Sequence, residues 1–286
     1  MANETTMTSL NDLLPSIVAE ALFIASERSI MRGLVRNFTL PLGSGKTVTV
    51  PIYPTVSAAS VNEGTDLTNT SVTTDGATLT VSEVGIMATV TDMARNASAS
   101  NVIADIGRLF GEAIARKMDQ DLTLLFNSFS NAEGDYTGTI TAEAIFKSVA
   151  KLRGLGLDPA GIQCVLHPEI AFDLKKALTT GGSVAFTGGG GTSEAANEAM
   201  RMGYVGMLAG IPIFETGNIN YVTNAGDFPG AVYHRDAIGL AMMQDIKIET
   251  QRDASLRGDE LVATAVYGVG ELIDSYGRAL KYDSSI

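Results

Sequence analysis

The segment Gly43-Ser44-Gly45-Lys46-Thr47 has the ending of a phosphate-binding loop. The complete loop also needs a glycine at position 40, where this chain has Leu40. It must in addition open a helix, whose first amide groups face the phosphate. The residues after Lys46 instead alternate apolar and polar side chains, which predicts a strand. We therefore interpret Gly43–Lys46 as a turn, and we assign it no nucleotide or other cofactor.

The other residues capable of chemistry are two histidines, one cysteine and a run of four glycines. Neither His167 nor His234 has a partner at metal-ligand spacing, and Cys164 alone cannot build a zinc site. Cys164 lies in an apolar run, which is typical of a small buried side chain. The run Gly188–Gly191 lacks the spacing of a dinucleotide fingerprint. These patterns predict structural roles, with no metal, no cofactor and no catalytic residue.

The composition indicates an acidic, folded protein. The chain has 286 residues, of which 45% are hydrophobic, and its formal net charge is −12. An acidic chain repels phosphate backbones, which argues against broad nucleic-acid binding. The apolar run Ile17–Ala25 is interrupted by Glu20 and is too short to span a bilayer. The first seven residues lack the features of a signal peptide, so we expect no membrane association.

A long extended ribbon is the most informative predicted element. The alternation of apolar and polar side chains predicts strands at Thr47–Tyr53 and Thr78–Val90. They are joined by a polar loop of Ser, Thr, Asn, Asp and Gly. A lone two-stranded ribbon is marginally stable in water, and its open edges invite pairing with other chains. We therefore expect the ribbon to lie on a neighbouring subunit, and we infer that the protein functions in assembly.

The second strand of the ribbon changes phase. Leu79 and Val81 fall in one two-residue register, whereas Val84 and Ile86 fall in the other. One regular strand cannot hold both sets on the same face. The pattern predicts a bulge or twist near Ser82–Glu83.

Helical periodicity is strongest over Ser98–Phe129, which predicts a helix of roughly 40–45 Å. The remaining patterns predict a mixed α+β fold. Ser9–Val35 is predicted to form one or two helices, and the other predicted helices are Thr141–Leu155, Pro168–Leu178 and Glu194–Met202. The other predicted strands are Ile162–Leu166, Ile211–Glu215, Ala231–Met242, Asp245–Gln251 and Leu261–Tyr267, and Gly181–Thr192 is predicted to be a glycine-rich loop.

Charged residues supply the candidate contacts between subunits. Arg28, Arg32 and Arg36 are four residues apart, which would make them one stripe on a helix. Such a stripe is a solvated helix end, a set of inter-subunit ion pairs, or a contact with packaged nucleic acid.

Two further groups of charges are candidate contacts. Asp253, Arg257, Asp259 and Glu260 form a mixed-charge turn between two predicted strands. That turn is either a site of inter-subunit ion pairs or simply solvated. Glu63 and Asp66, in the polar loop of the ribbon, complete the candidates.

Several segments, taken in order, carry a resemblance to a known family. They are the residues 58–67 of the polar loop, the helix Ser98–Phe129, Val165-Leu166-His167-Pro168 before a helix, Tyr233–Ala237, and Val266-Tyr267-Gly268. Their order resembles the major capsid protein of tailed bacteriophages, with the Hong Kong phage type of shell fold. The resemblance covers nearly the whole chain.

The resemblance implies a division of the chain into four parts. Residues 1–36 would form an N-terminal arm and residues 37–92 an extended β-hairpin loop. Residues 93–135 and 243–275 would form a peripheral domain built on the long spine helix. Residues 136–242 and 276–286 would form an axial domain.

The resemblance also implies a function. Hexamers and pentamers of the chain would form an icosahedral shell around double-stranded DNA, held without sequence-specific binding. We expect assembly in the host cytoplasm with a separate scaffolding protein and a portal, without a large N-terminal cleavage, and a final location in the virion. An encapsulin nanocompartment, with the same fold, is the first alternative, and a hydrolase with a spatially assembled site is the second.

Some members of this family crosslink a lysine of the extended loop to an asparagine of a neighbour. Lys46 is the only lysine between Val35 and Arg116, and it lies at the base of the ribbon. We therefore predict that assembled particles dissolve to single chains on denaturing electrophoresis. A ladder of covalent oligomers would contradict the prediction.

Overall fold

A computed structural model describes residues 29–93, 102–180 and 204–286, apart from Thr55, Ala59, Thr65, Leu67, Thr68, Thr70 and Thr223. The predicted loop Gly181–Thr192 and helix Glu194–Met202 lie outside the described residues. Of the predicted helix Ser9–Val35, only the last residues are described.

The described residues form four α-helices and twelve strands, which confirms the α+β class. The helices are α1 (Met31–Leu34), α2 (Val102–Leu124), α3 (Ala142–Gly154) and α4 (Pro168–Thr180). The first six strands are β1 (Arg36–Thr39), β2 (Thr47–Ile52), β3 (Asp75–Thr80), β4 (Ser82–Thr91), β5 (Ala132–Glu133) and β6 (Ile162–Leu166). The others are β7 (Tyr204–Leu208), β8 (Ile211–Glu215), β9 (Asp227–His234), β10 (Ile238–Asp253), β11 (Gly258–Glu271) and β12 (Gly277–Asp283).

The strands form three sheets. A four-stranded sheet has the order β1-β10-β11-β4, in which β1 is parallel to β10 and the other pairs are antiparallel. A six-stranded mixed sheet has the order β5-β12-β9-β6-β8-β7. The third sheet is the isolated pair β2-β3. The chain crosses between the first two sheets after β4, after β9 and after β11.

The helix α2, which we call the spine helix, has its predicted apolar stripe. Phe110, Ile114, Met118 and Leu122 recur every four residues and are buried. They join one core with the inward face of the four-stranded sheet, including Leu261 and Ala263. With 23 residues the helix is about 35 Å long. A 3₁₀ turn, Leu125–Ser128, extends it toward the predicted end at Phe129.

The six-stranded sheet is the better buried of the two large sheets. Every residue of β6 is buried, as expected for a central strand. Helix α3 begins where predicted, because the Thr141 side chain accepts a hydrogen bond from the Ala144 amide. Within the described ranges, no helix combines the length and apolar character that crossing a membrane requires.

The prediction of a single strand over Ala231–Met242 is wrong. Strand β9 ends at His234, a 3₁₀ turn spans Arg235–Ala237, and β10 then enters the other sheet. The His234 imidazole causes the turn, because its Nδ1 accepts a hydrogen bond from the Asp236 amide at 3.3 Å. The change of sheet was not predicted, because the residues on both sides of the turn are apolar and look like one continuous strand in the sequence. The predicted strands Asp245–Gln251 and Leu261–Tyr267 are parts of the longer β10 and β11.

The end of the spine region offers a test of core packing. A Cβ on Gly277 would collide with the ring of Phe129, which is buried and has no room to move. We predict that Gly277→Ala lowers the free energy of unfolding by about 1–3 kcal/mol, because overpacking forces the ring out of place. Urea unfolding of unassembled subunits measures the change.

Gly138→Ala is the matched control, because a Cβ there meets no atom within 4 Å. Equal stability of the two variants would contradict the packing at Gly277.

Candidate inter-subunit surfaces

The β2-β3 ribbon packs against the four-stranded sheet and carries a long loop, and we call residues 46–81 the hairpin arm. Thr47 pairs with Thr80 at its base and Ile52 with Asp75 at its far end. Gly43 and Gly45 have positive φ angles of 89° and 95°, which confirms the turn before the arm. The Val81 amide donates to the Lys46 carbonyl at 2.9 Å and closes the base.

The predicted change of phase is confirmed at the base of the hairpin arm. Leu79 and Val81 are buried, whereas the consecutive residues Ser82 and Glu83 are both exposed. The change arises because β3 pairs only with β2, whereas β4 joins β11 from Ser82 onward. The predicted long strand Thr78–Val90 is therefore two strands in different sheets, and only the first belongs to the hairpin arm.

A small core holds the base of the hairpin arm to the sheet. Its buried members are Leu40, Leu79, Val81, Ala241 and Leu272. It is separate from the main core, and Val48 and Val50 of the arm pack against it. Ala77 of the arm also packs against it, so the small core supports most of the β2-β3 ribbon.

The loop of the hairpin arm presents apolar side chains to solvent. Tyr53 is 72% exposed, and Val56, Val61 and Val72 are each about half exposed. Glu63 and Asp66 are exposed beside them. From Thr47 to Ala94 the sequence contains no lysine or arginine. Apolar side chains grouped on an exposed loop are typical of a contact surface, and this one is negatively charged.

The interpretation of Arg28, Arg32 and Arg36 as one helical stripe is wrong. Helix α1 ends at Leu34 and Arg36 lies in β1, because residues 36–39 pair with β10. Arg32 contacts Asp245 at 3.3 Å, and Arg36 contacts Asp236 at 2.7 Å, both within the chain. These ion pairs are solvent-exposed and contribute little stability. Arg28 lies outside the described residues, and inter-subunit roles for all three stay predictions.

The predicted charged turn joins β10 to β11. The Asp253 carboxylate accepts hydrogen bonds from the Ser255 hydroxyl and amide and the Leu256 amide, which hold its pKa below the usual value. Arg257 has a φ of 50°, in the left-handed region. Asp259 is buried against Arg252, and Glu260 is half-buried opposite Gln251. Asp253 therefore shapes the turn, and contact with another subunit stays a prediction for Asp253, Arg257 and Glu260.

The buried carboxylate of Asp119 is a site that sequence reasoning missed. It accepts hydrogen bonds from the Ser29 hydroxyl at 2.8 Å and the Asn218 amide at 3.2 Å, and from the backbone of Ile30 and Met31. Burial raises the pKa of Asp119, and these hydrogen bonds oppose the rise. The sequence carried one signal, a carboxylate beside Met118 on the apolar stripe.

A second buried carboxylate, Glu133, lies between three cations. Arg278 contacts it at 2.5 Å and Lys147 at 2.6 Å, while Lys151 is 3.6 Å away. Burial alone would raise the pKa of Glu133, but the hydrogen bonds from Lys147 and Arg278 outweigh burial and lower it. Arg278 is itself buried, so this pair links β5 to β12 inside the fold.

A pair of carboxyl groups lies where the chain leaves the four-stranded sheet. Glu271 is the last residue of β11, and its side chain hydrogen-bonds to Asp274. Asp274 also accepts from the Ser130 amide at 2.8 Å. Burial and the neighbouring Asp274 raise the pKa of Glu271 to about 7. The pair therefore carries a proton at mildly acidic pH.

The histidines and the cysteine have structural roles. His167 stacks on Phe228 with a centroid distance of 3.6 Å, and its Nδ1 accepts from the Glu169 amide at the start of α4. His234 shapes the turn after β9. Cys164 is fully buried, and burial raises its pKa. Among the described residues, no group of three His, Cys, Asp or Glu side chains is arranged to hold a metal.

The fold occurs in known viral shells. A cyanophage P-SCSP1u capsid structure matches with a TM-score of 0.70 and 18% identity, covering 91% of this chain and 89% of the other. The mature capsid of bacteriophage PhiM1 matches with a TM-score of 0.66 and 18% identity, covering 89% of this chain and 87% of the other. A structure from Mycobacterium phage Che8 matches with a TM-score of 0.63 and 22% identity, covering 82% of this chain and 84% of the other. No curated protein matches the chain.

The spine helix, the two large sheets and the hairpin arm together have the fold of tailed-phage shell proteins. Residues 55–279 match the family described as phage capsid protein, and the chain belongs to that family. It is a structural protein, a major capsid protein that forms the shell of a virion. The match favours the viral shell over the encapsulin nanocompartment.

The Glu133 site predicts a large cost for removing one charge. Glu133→Gln leaves Arg278 buried without its counter-charge, so we expect the free energy of unfolding to fall by about 3–5 kcal/mol. Lys151→Ala is the control, with an expected loss below about 1 kcal/mol, since Lys151 is distant and half-exposed. Chemical unfolding of unassembled subunits measures both losses, and equal losses would refute the assignment.

The Glu271–Asp274 pair predicts a dependence of stability on pH. Because the folded pKa of Glu271 lies above its ordinary value of 4.5, its contribution is complete below pH 4.5 and is lost as pH rises through about 7. Glu271→Gln keeps a hydrogen-bond donor without the charge. We expect the variant to have a higher melting temperature than the unchanged protein at pH 8, and the difference to shrink toward pH 5.

Thermal unfolding of unassembled subunits between pH 5 and pH 8 provides the measurement. A difference in melting temperature that does not vary with pH would count against the shared proton.

Proposed function

We propose that the chain assembles as hexamers and pentamers into an icosahedral shell around double-stranded DNA, with each hairpin arm lying on a neighbouring subunit. One observation carries the proposal: the loop of the arm exposes the apolar side chains of Tyr53, Val56, Val61 and Val72, which belong to neither core of the subunit. Covering such side chains stabilises an assembly by the hydrophobic effect. The open edges of β2 and β3 supply further hydrogen-bonding groups.

The division of strands supports the proposed domains. The spine helix, all of β11 and most of β10 fall within the proposed peripheral domain, residues 93–135 and 243–275, whereas β1 and β4 of the same sheet lie outside it. Five of the six strands of the other sheet fall within the proposed axial domain, residues 136–242 and 276–286. Strand β5 crosses that division, because it pairs with β12. Residues 1–36 and 37–92 would be the N-terminal arm and the extended loop.

The remaining parts of the proposal follow from charge and family. A chain with a net charge of −12 encloses DNA most readily without gripping it, so we propose no sequence-specific binding. We also propose a purely structural role without catalysis, assembly in the host cytoplasm, and a separate scaffolding protein and a portal as partners. Membership of the capsid family supports these partners.

The exposed side chains of the hairpin arm give the decisive experiment. We predict that the triple variant Val56→Ser, Val61→Ser, Val72→Ser folds normally but yields at least tenfold fewer closed shells. Its folding is spared because all three side chains lie outside the cores in the unassembled subunit. Circular dichroism reports folding, and negative-stain microscopy with sedimentation reports assembly.

Leu155→Ser is the matched control, since Leu155 is an equally exposed apolar residue outside the arm. Wild-type shell yield from the triple variant would overturn the proposed role of the arm. Failure of the unchanged chain to form shells under any condition would overturn the assembly proposal itself.

A further inference from the structure

We propose that a socket of three strand glycines, which receives the Leu79 side chain and the adjoining backbone of Thr80 and Val81, fixes the direction in which the hairpin arm leaves the body. The inference rests on the proposed function of the arm and identifies the residues that position it. The glycines are Gly239 in β10 and Gly268 and Gly270 in β11. All three lie within strands, where glycine is otherwise unfavourable.

The first part of the socket is a pair of glycines facing each other. Gly239 and Gly270 are direct partners in the β10-β11 ladder. A Cβ on Gly239 would lie 2.9 Å from Leu79 Cδ1, and one on Gly270 would lie 2.6 Å from Leu79 Cδ2. The two methyl groups of Leu79 therefore occupy the space that side chains on this pair would fill. Leu79 is only 1% exposed, so the fit is closed.

The second part of the socket contacts the arm backbone. A Cβ on Gly268 would collide with the carbonyl oxygen of Thr80, and it would lie 3.0 Å from the Cα of Val81. Strand β4 pairs with β11 only as far as Tyr267, which faces Ser82. Gly268 is thus the position at which the chain lifts out of the ladder and crosses the sheet. The missing side chain allows backbone to lie against backbone there.

These contacts make the socket a positioning device for the arm. The small core that includes Leu79 and Val81 is separate from the main core of the protein. Disturbing the socket should therefore change the direction of the arm without unfolding the body. Because the arm must meet a neighbour at a defined place, even a modest change in its direction is enough to prevent closure of the shell.

The test uses three variants with different physical effects. Gly268→Ala pushes the arm backbone, Gly270→Ala pushes only the Leu79 methyl group, and Leu79→Ala empties the socket. The double variant Gly270→Ala, Leu79→Ala supplies an alanine methyl where a leucine methyl was lost. Gly154→Ala is the control, because a Cβ there meets no atom within 4 Å.

Arm direction is measured directly by spin-label distances between Ser57→Cys on the arm and Ala150→Cys on α3, in unassembled subunits. The native Cys164 is fully buried and does not compete for the label. We expect Gly268→Ala and Leu79→Ala to shift or broaden the distance distribution and to lower shell yield at least tenfold. We expect the shell yield of the double variant to be at least threefold higher than that of the worse single variant. The control should match the unchanged protein in both distance distribution and shell yield.

Wild-type distances and shell yields in all socket variants would overturn the inference, and so would strictly additive losses in the double variant. If Gly268→Ala fails to fold, Leu79→Ala and the double variant carry the test. If the unchanged chain forms no shells, the proposed function fails, and the distance distributions alone then decide whether the socket positions the arm.

Discussion

The last turns of the spine helix carry the interactions on which the body of the protein depends. Asp119 accepts hydrogen bonds from Ser29 and Asn218, which are far apart in the sequence. Two residues on, Asp121 accepts a hydrogen bond from the Tyr267 hydroxyl of β11 at 2.9 Å. Thr123 then donates to the Asn218 carbonyl at 3.3 Å. This short stretch of helix therefore links β11, the segment that follows β8 and the segment that precedes α1.

A buried carboxylate is a costly way to make such a joint, because desolvation opposes it. The cost is offset here because Asp119 accepts hydrogen bonds from side chains and from two backbone groups. The arrangement also specifies one geometry, since an apolar contact would tolerate sliding of the elements. A shell subunit must present its contacts at fixed angles, and a directional joint at its centre suits that requirement.

The sequence predicted elements whose periodicity is local and missed those whose partners are distant. Phe110, Ile114, Met118 and Leu122 made the spine helix predictable because their spacing is visible within one segment. Strand β1 was missed because its register depends on β10, far along the chain. For the same reason Arg32 was assigned to a surface stripe, when Asp245 lies beside it. The exposed loop of the hairpin arm was predictable from composition, whereas the glycine socket beneath it needed three-dimensional distances.

The pairing of early with late strands also orders the folding of a growing chain. Strand β1 has no partner until Gly239 has been made, and the socket for Leu79 is incomplete until Gly270. At synthesis rates of about 5–20 residues per second, roughly 10–40 s pass between the synthesis of Leu79 and that of the last socket glycine. A chain interrupted before Gly270 therefore contains the hairpin arm without the complete socket that would position it.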